Sequence, residues 1–123
     1  MRDIKLRVWD KVSGKMYDVG MIDFITGHIV CSEKDNYKEL VNDSSEMVVL
    51  MQYIGLKDKN GKELYEGDII KLLDIIGCIK FSIENLGYVL LTPVKTEIPM
   101  IYLKLSAIEK IGNIYKNPEL MEV

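Results

Sequence analysis

Four carboxylates, Asp58, Glu63, Glu66 and Asp68, lie close together near the middle of the chain. Carboxylates that converge on a divalent ion support phosphoryl chemistry, so a small metal-dependent enzyme is one reading of this cluster. Lys57, Lys59 and Lys62 are interleaved among them, which favours solvated charges on a turn instead. A calcium loop does not fit: with Gly61 as its sixth residue, ligating positions would fall on Leu56 and Gly67, which offer no side-chain oxygen. The lone histidine, His28, and Cys31 are three residues apart on an expected strand, so they point to opposite faces and cannot form a local nucleophile–base pair. Only one further cysteine, Cys78, is available, which excludes zinc fingers and a disulfide framework. No catalytic residue, cofactor site or metal site is therefore assigned, and the protein is expected not to be an enzyme.

The charges suggest contact surfaces instead. The 123 residues sum to a net charge of −3, but residues 1–15 carry +3 and residues 16–50 carry −5. If Ile4, Leu6 and Val8 face a core, Lys5, Arg7 and Trp9 share the outer face, where an aromatic beside two cations can stack a base and neutralise phosphates. The acidic sum and the lack of a second basic element make nucleic acid the weaker partner, and an accessory nucleic-acid-binding protein the alternative function. Glu33, Asp35, Glu39, Asp43 and Glu46 form a candidate acidic contact loop, able to pair with the basic hairpin or with a protein partner.

Strands must position these groups. Period-two alternation over Ile4–Trp9 predicts a half-buried strand, followed by a turn at Ser13-Gly14 and a second strand from Met16. Val19–Phe24 and His28–Cys31 read as another hairpin around Thr26-Gly27, and the polar stretch 32–46 as a mobile loop or short exposed helix. Met47–Ile54 reads as a buried strand. Asn60-Gly61 marks a turn, and Gly67-Asp68 a sharp bend leading into the strand Ile69–Leu73. Residues 78–83 and 87–91 suit an antiparallel pair. Ile98, Ile101, Tyr102, Leu105 and Ile108 fit a helical face as well as a strand, so the state of 98–108 stays open. Asn117-Pro118 suits the cap and first position of a one-turn helix. Many short strands separated by turns indicate a β-rich small barrel.

Three stretches carry a family resemblance: Met1–Asp10 (MRDIKLRVWD), Met51–Ile70 (MQYIGLKDKNGKELYEGDII) and Ile111–Leu120 (IGNIYKNPEL). In this order they resemble YopX-type proteins of bacterial phages and prophages; 16–46 and 74–105 carry no matching motif. The resemblance implies a C-terminal part similar to an SH3-like barrel. It supplies no activity and no catalytic residue. The expected architecture is mainly β: an N-terminal β-hairpin region over 1–46 and an SH3-like small β-barrel over 47–123.

The expected role is that of a phage or prophage binding or assembly module. The N-terminal hairpins offer little core of their own, so they fold onto the barrel or pair with a second copy, giving a homo-oligomer with a host or phage protein as a further partner. Interspersed charges at Arg2, Asp3 and Lys5 do not read as a signal peptide, and no apolar run is long enough to cross a bilayer, so the expected compartment is the bacterial cytoplasm, with both thiols free and buried.

Overall fold

Val8 and Asp10 alternate with Arg7 and Trp9 along β1 (Leu6–Asp10), and both hydrogen-bonding edges of this strand are paired because it lies between two neighbours. The computed structural model describes residues 3–33, 36–42 and 47–122. They fall into two compact units, one within residues 3–52 and one within 53–122.

In the first unit, β1 pairs antiparallel with β2 (Lys15–Ile22), β2 with β3 (His28–Glu33), and β3 with β4 (Asn36–Val41). On its other side β1 pairs with residues 48–52 of β5 (Val48–Lys57), so the order is β4-β3-β2-β1-β5. One face of this sheet carries Val8, Tyr17, Ile29 and Cys31, with Val19, Ile22, Leu40, Val48 and Leu50 packed around them. A register shift between Val19 and Met21 brings Ile22 opposite Ile29 and so keeps this face apolar. The turn between β2 and β3 is held by Asp23, whose carboxylate accepts the N–H of Ile25 at 2.9 Å.

Two expectations change here. Residues 36–41, within the stretch expected to be a loop or short helix, form β4: the ladder to β3 runs from Glu33↔Asn36 to His28↔Val41. Ile4 does not join the core; it precedes β1 and is 89% exposed.

The second unit begins within β5. Residues 53–57 pair with β6 (Glu63–Tyr65), with a register irregularity across Gly55, whose φ of +87° suits glycine. A five-stranded antiparallel sheet follows in the order β10-β9-β8-β7-β11, built from β7 (Asp68–Leu72), β8 (Ile75–Ser82), β9 (Gly87–Leu91), β10 (Glu97–Pro99) and β11 (Glu109–Asn113). Its core is Ile54, Leu64, Ile70, Ile79, Leu90, Met100 and Ile108. Among the described residues the sheet does not close into a barrel. Residues 98–108 are neither one helix nor one strand: Pro99 ends β10, and single 3-10 turns follow at Met100–Tyr102 and Leu105–Ala107. Pro118–Met121 forms the expected final turn, but the Asn117 side chain does not cap it; its oxygen accepts the N–H of Asn113 at 3.2 Å. Among the described residues no helix is long and apolar enough to cross a membrane.

Candidate functional site

Lys5, Arg7 and Trp9 do not form a single exposed patch. Lys5 is exposed and Trp9 half-buried, whereas Arg7 is only 6% exposed and one of its terminal nitrogens lies 3.6 Å from the Met51 sulfur. The central position of β1 is the reason, since β2 and β5 bring Asp18 and Met51 directly opposite Arg7.

The ion pair that organises the first unit uses charges opposite in sign to those that dominate their segments. Asp10, from the basic hairpin, is buried and accepts from Lys38 Nζ at 2.8 Å, from Ser13 Oγ at 2.8 Å and from the N–H of Val12 at 3.1 Å. Lys38, from the acidic segment, also lies over the Tyr17 ring, 5.4 Å from its centroid. In a flat sheet β4 and β1 would be about 14 Å apart. The pair therefore shows that the sheet rolls over its apolar face and straps β4 to β1. Burial alone would raise the Asp10 pKa, but the hydrogen bonds from Lys38, Ser13 and Val12 outweigh it and hold the carboxyl below its ordinary value.

Of the candidate acidic contact loop, Asp35, Asp43 and Glu46 and the Glu33 side chain lie outside the described residues. Glu39 sits on β4 and meets His28 Nδ1 at 2.8 Å. His28 is exposed while Cys31 is buried, as expected for opposite faces of β3.

The central carboxylates hold the chain together around Lys110. Asp58 accepts three backbone N–H groups at 2.9 Å each, from Asn60 and Lys62 at one oxygen and from Lys110 at the other. This cradle fixes the Asn60-Gly61 turn, with Gly61 at φ +78°, and ties it to β11. Burial pushes the Asp58 pKa up, yet the donors from Lys110, Lys62 and Asn60 bring it below the ordinary carboxylate value. Asp68, fully buried after the Gly67 bend, accepts the N–H of Tyr65 at 2.7 Å and lies 3.1 Å from Lys110 Nζ. The same ammonium reaches the Glu63 carbonyl at 3.2 Å and stands 5.9 Å from the centre of the Tyr65 ring. Asp58 and Asp68 thus engage opposite ends of one residue, Lys110. Among the described residues no group of three or more His, Cys, Asp and Glu side chains is placed to hold a metal ion.

Neither thiol is activated. Cys31 and Cys78 are free and buried, and burial pushes both pKa values up. Cys31 Sγ lies 3.3 Å from the Lys38 carbonyl oxygen.

Lys110 and Lys38 carry no local sequence signal, because their partners lie 52 and 28 residues away along the chain. Sequence reasoning also missed an apolar cleft of about 400 Å³ lined by Leu56, Tyr88, Met100, Ile101, Leu103 and Leu105. It forms because the two 3-10 turns after Pro99 leave part of the core of the second unit open.

These features define a class of mainly β protein in which Asp10, Asp58 and Asp68 serve chain packing and turn formation. The chain matches the family described as YopX protein over residues 5–122, and it belongs to that family. Among solved structures it is similar to protein EF1440 from Enterococcus faecalis, with a TM-score of 0.63 and 25% identity over 99% of this chain and 100% of that one. It is also similar to protein yopX from Bacillus subtilis, with a TM-score of 0.62 and 20% identity over 100% of this chain and 98% of that one. No match is found among curated proteins.

Proposed function

We propose that this protein is a non-enzymatic binding or assembly module, borne by a phage or prophage, that self-associates in the bacterial cytoplasm and takes a host or phage protein as a further partner. The observation that carries this reading is where its large apolar side chains lie. Phe24 and Ile25, at the β2–β3 turn, are 80% and 96% exposed, and Tyr37, Leu73, Ile83, Leu86 and Ile101 are exposed to a similar degree. Soluble monomers expose single apolar residues routinely, but rigid turns tipped with adjacent ones suit contact with another protein. The non-enzymatic part is supported by the packing duties of Asp58 and Asp68 and by the two unactivated thiols. Free buried cysteines suit a reducing compartment. The meander β7-β8-β9-β10, with β11 returning onto β7 after a 3-10 turn, supports reading the second unit as an SH3-like small barrel.

Light scattering on the intact chain across a concentration series tests the proposal, paired with a low-salt titration of single- and double-stranded nucleic acid. Self-association without nucleic-acid binding is the expected result. A monomer that binds nucleic acid with a steep salt dependence would overturn it in favour of the alternative.

A further inference from the structure

The edges of the two sheets are guarded unequally. In the second unit β10 is short and ends at Pro99, and β6 has three residues. Along β11 the loop after β5 bonds to the chain: Asp58 accepts the N–H of Lys110, and Lys59 donates its N–H to the Ile108 carbonyl at 2.9 Å. In the first unit β4 stands at the end of the strand order, six residues long and without proline, and among the described residues no strand flanks it on its outer side.

The direction of its main-chain groups follows from the ladder. Asn42 stands opposite Gly27 in the continuation of the β3–β4 register, and its N–H donates to the Gly27 carbonyl at 2.8 Å. Bonded and unbonded pairs alternate in antiparallel pairing, so residues 36, 38 and 40 direct their N–H and C=O toward β3. Tyr37, Glu39 and Val41 direct theirs outward. The side chains of these three residues also share one sheet face, opposite the apolar face that Lys38 and Leu40 join.

From this geometry we infer that β4 pairs antiparallel with β4 of a second copy about a two-fold axis at Glu39. The inference deepens the self-association reading and rests on it. Centring on Glu39 brings Tyr37 opposite the partner's Val41, and Val41 opposite the partner's Tyr37, with each pair exchanging both of its N–H···O bonds. Centring on Tyr37 or on Val41 would leave two of these three outward-directed residues without a counterpart on β4. Tyr37 is 82% and Val41 is 41% exposed, and an aromatic opposite a β-branched residue is a favourable cross-strand pair. The two Glu39 carboxylates meet at the centre. Each stands beside its own His28, with Nδ1 and Oε1 2.8 Å apart, and their mutual repulsion keeps the association weak.

The test uses the intact chain in sedimentation velocity from about 10 µM to about 1 mM, with amide spectra confirming the fold of each variant. A concentration-dependent dimer is expected. Glu39→Gln removes the central like-charge pair and tightens the dimer by about fivefold. Tyr37→Lys loosens it by roughly tenfold, because the two-fold axis doubles every change. Val41→Pro deletes an outward N–H without touching the β3 ladder and also loosens the dimer. Slower amide exchange at Glu39 and Val41 with rising concentration would support the same edge. A dimer indifferent to Glu39→Gln and Tyr37→Lys overturns this surface while leaving self-association standing, and a monomer at about 1 mM overturns both.

Discussion

Replacing Asp58 with alanine removes one acceptor group from three backbone donors at once, those of Asn60, Lys62 and Lys110. The losses are unequal. Asn60 and Lys62 are exposed, so water can reach their N–H groups and each bond counts for about 0.5–1 kcal/mol. The bond to Lys110 is partly enclosed and made to a charged acceptor, which counts for about 2 kcal/mol. Asp58→Ala should therefore cost about 3–4 kcal/mol, a large share of a stability of about 5–15 kcal/mol. Asp58→Asn separates the two contributions: its oxygen can keep the turn bonds, but its amide faces the Lys110 N–H, for a cost of about 2 kcal/mol. The pH dependence has a definite sign. The folded-state pKa of Asp58 lies below its unfolded value, so its stabilisation is fully present above the ordinary carboxylate range and is lost as pH falls through the depressed folded value. The gap between wild type and Asp58→Asn should hold from pH 7 to about pH 4 and narrow below it. Urea unfolding followed by far-ultraviolet circular dichroism, at matched m values, measures both. An Asp58→Ala cost under about 1 kcal/mol, or an Asp58→Asn variant as stable as wild type at pH 7, would refute the reasoning.

Three further outcomes are expected. Leu86 holds a left-handed φ of +52° with its side chain 83% exposed, so Leu86→Asn should stabilise the protein by about 0.5–1 kcal/mol, and a lowered melting temperature would contradict this. A Cβ at Gly77 would meet the Leu90 side chain at 2.7 Å and the Leu91 carbonyl oxygen at 2.8 Å; Gly77→Ala should cost about 1–3 kcal/mol by overpacking, measured as a shift of the urea midpoint. Cys31 and Cys78 should react slowly with a thiol reagent in the native state and fast in urea, whereas rapid native labelling would mean that burial does not govern them.

Local periodicity made β1 and the hairpins around Thr26-Gly27 and Asn60-Gly61 legible, because alternation and turn chemistry act over a few residues. It misplaced Ile4, where the alternation runs on past the end of the strand. It missed β4, since Lys38 at an inward position looks polar until Asp10 is brought beside it by the roll of the sheet. The carboxylate cluster was visible in the sequence, but Lys110, which links Asp58 to Asp68, was not, because strand pairing between distant segments leaves no local pattern. Residues 98–108 stayed open for a different reason: their apolar spacing fits a helix as well as a strand, and the chain adopts neither throughout, with Pro99 ending β10 and short 3-10 turns following. The family resemblance at the ends and middle of the chain was carried by segments that the family match over 5–122 spans almost entirely.

β5 has a practical consequence for dissecting the protein into fragments. Residues 48–52 are the ladder partners of β1, and residues 53–57 carry the pairing to β6. A cleavage at 46/47, where the composition changes, would hand the whole strand to the C-terminal fragment and leave β1 with a raw hydrogen-bonding edge. A cleavage at 52/53 would leave each fragment its own ladder but sever a strand in mid-run. Two fragments made by the first route would therefore carry complementary halves of one ladder, the arrangement from which a split-protein reporter is built.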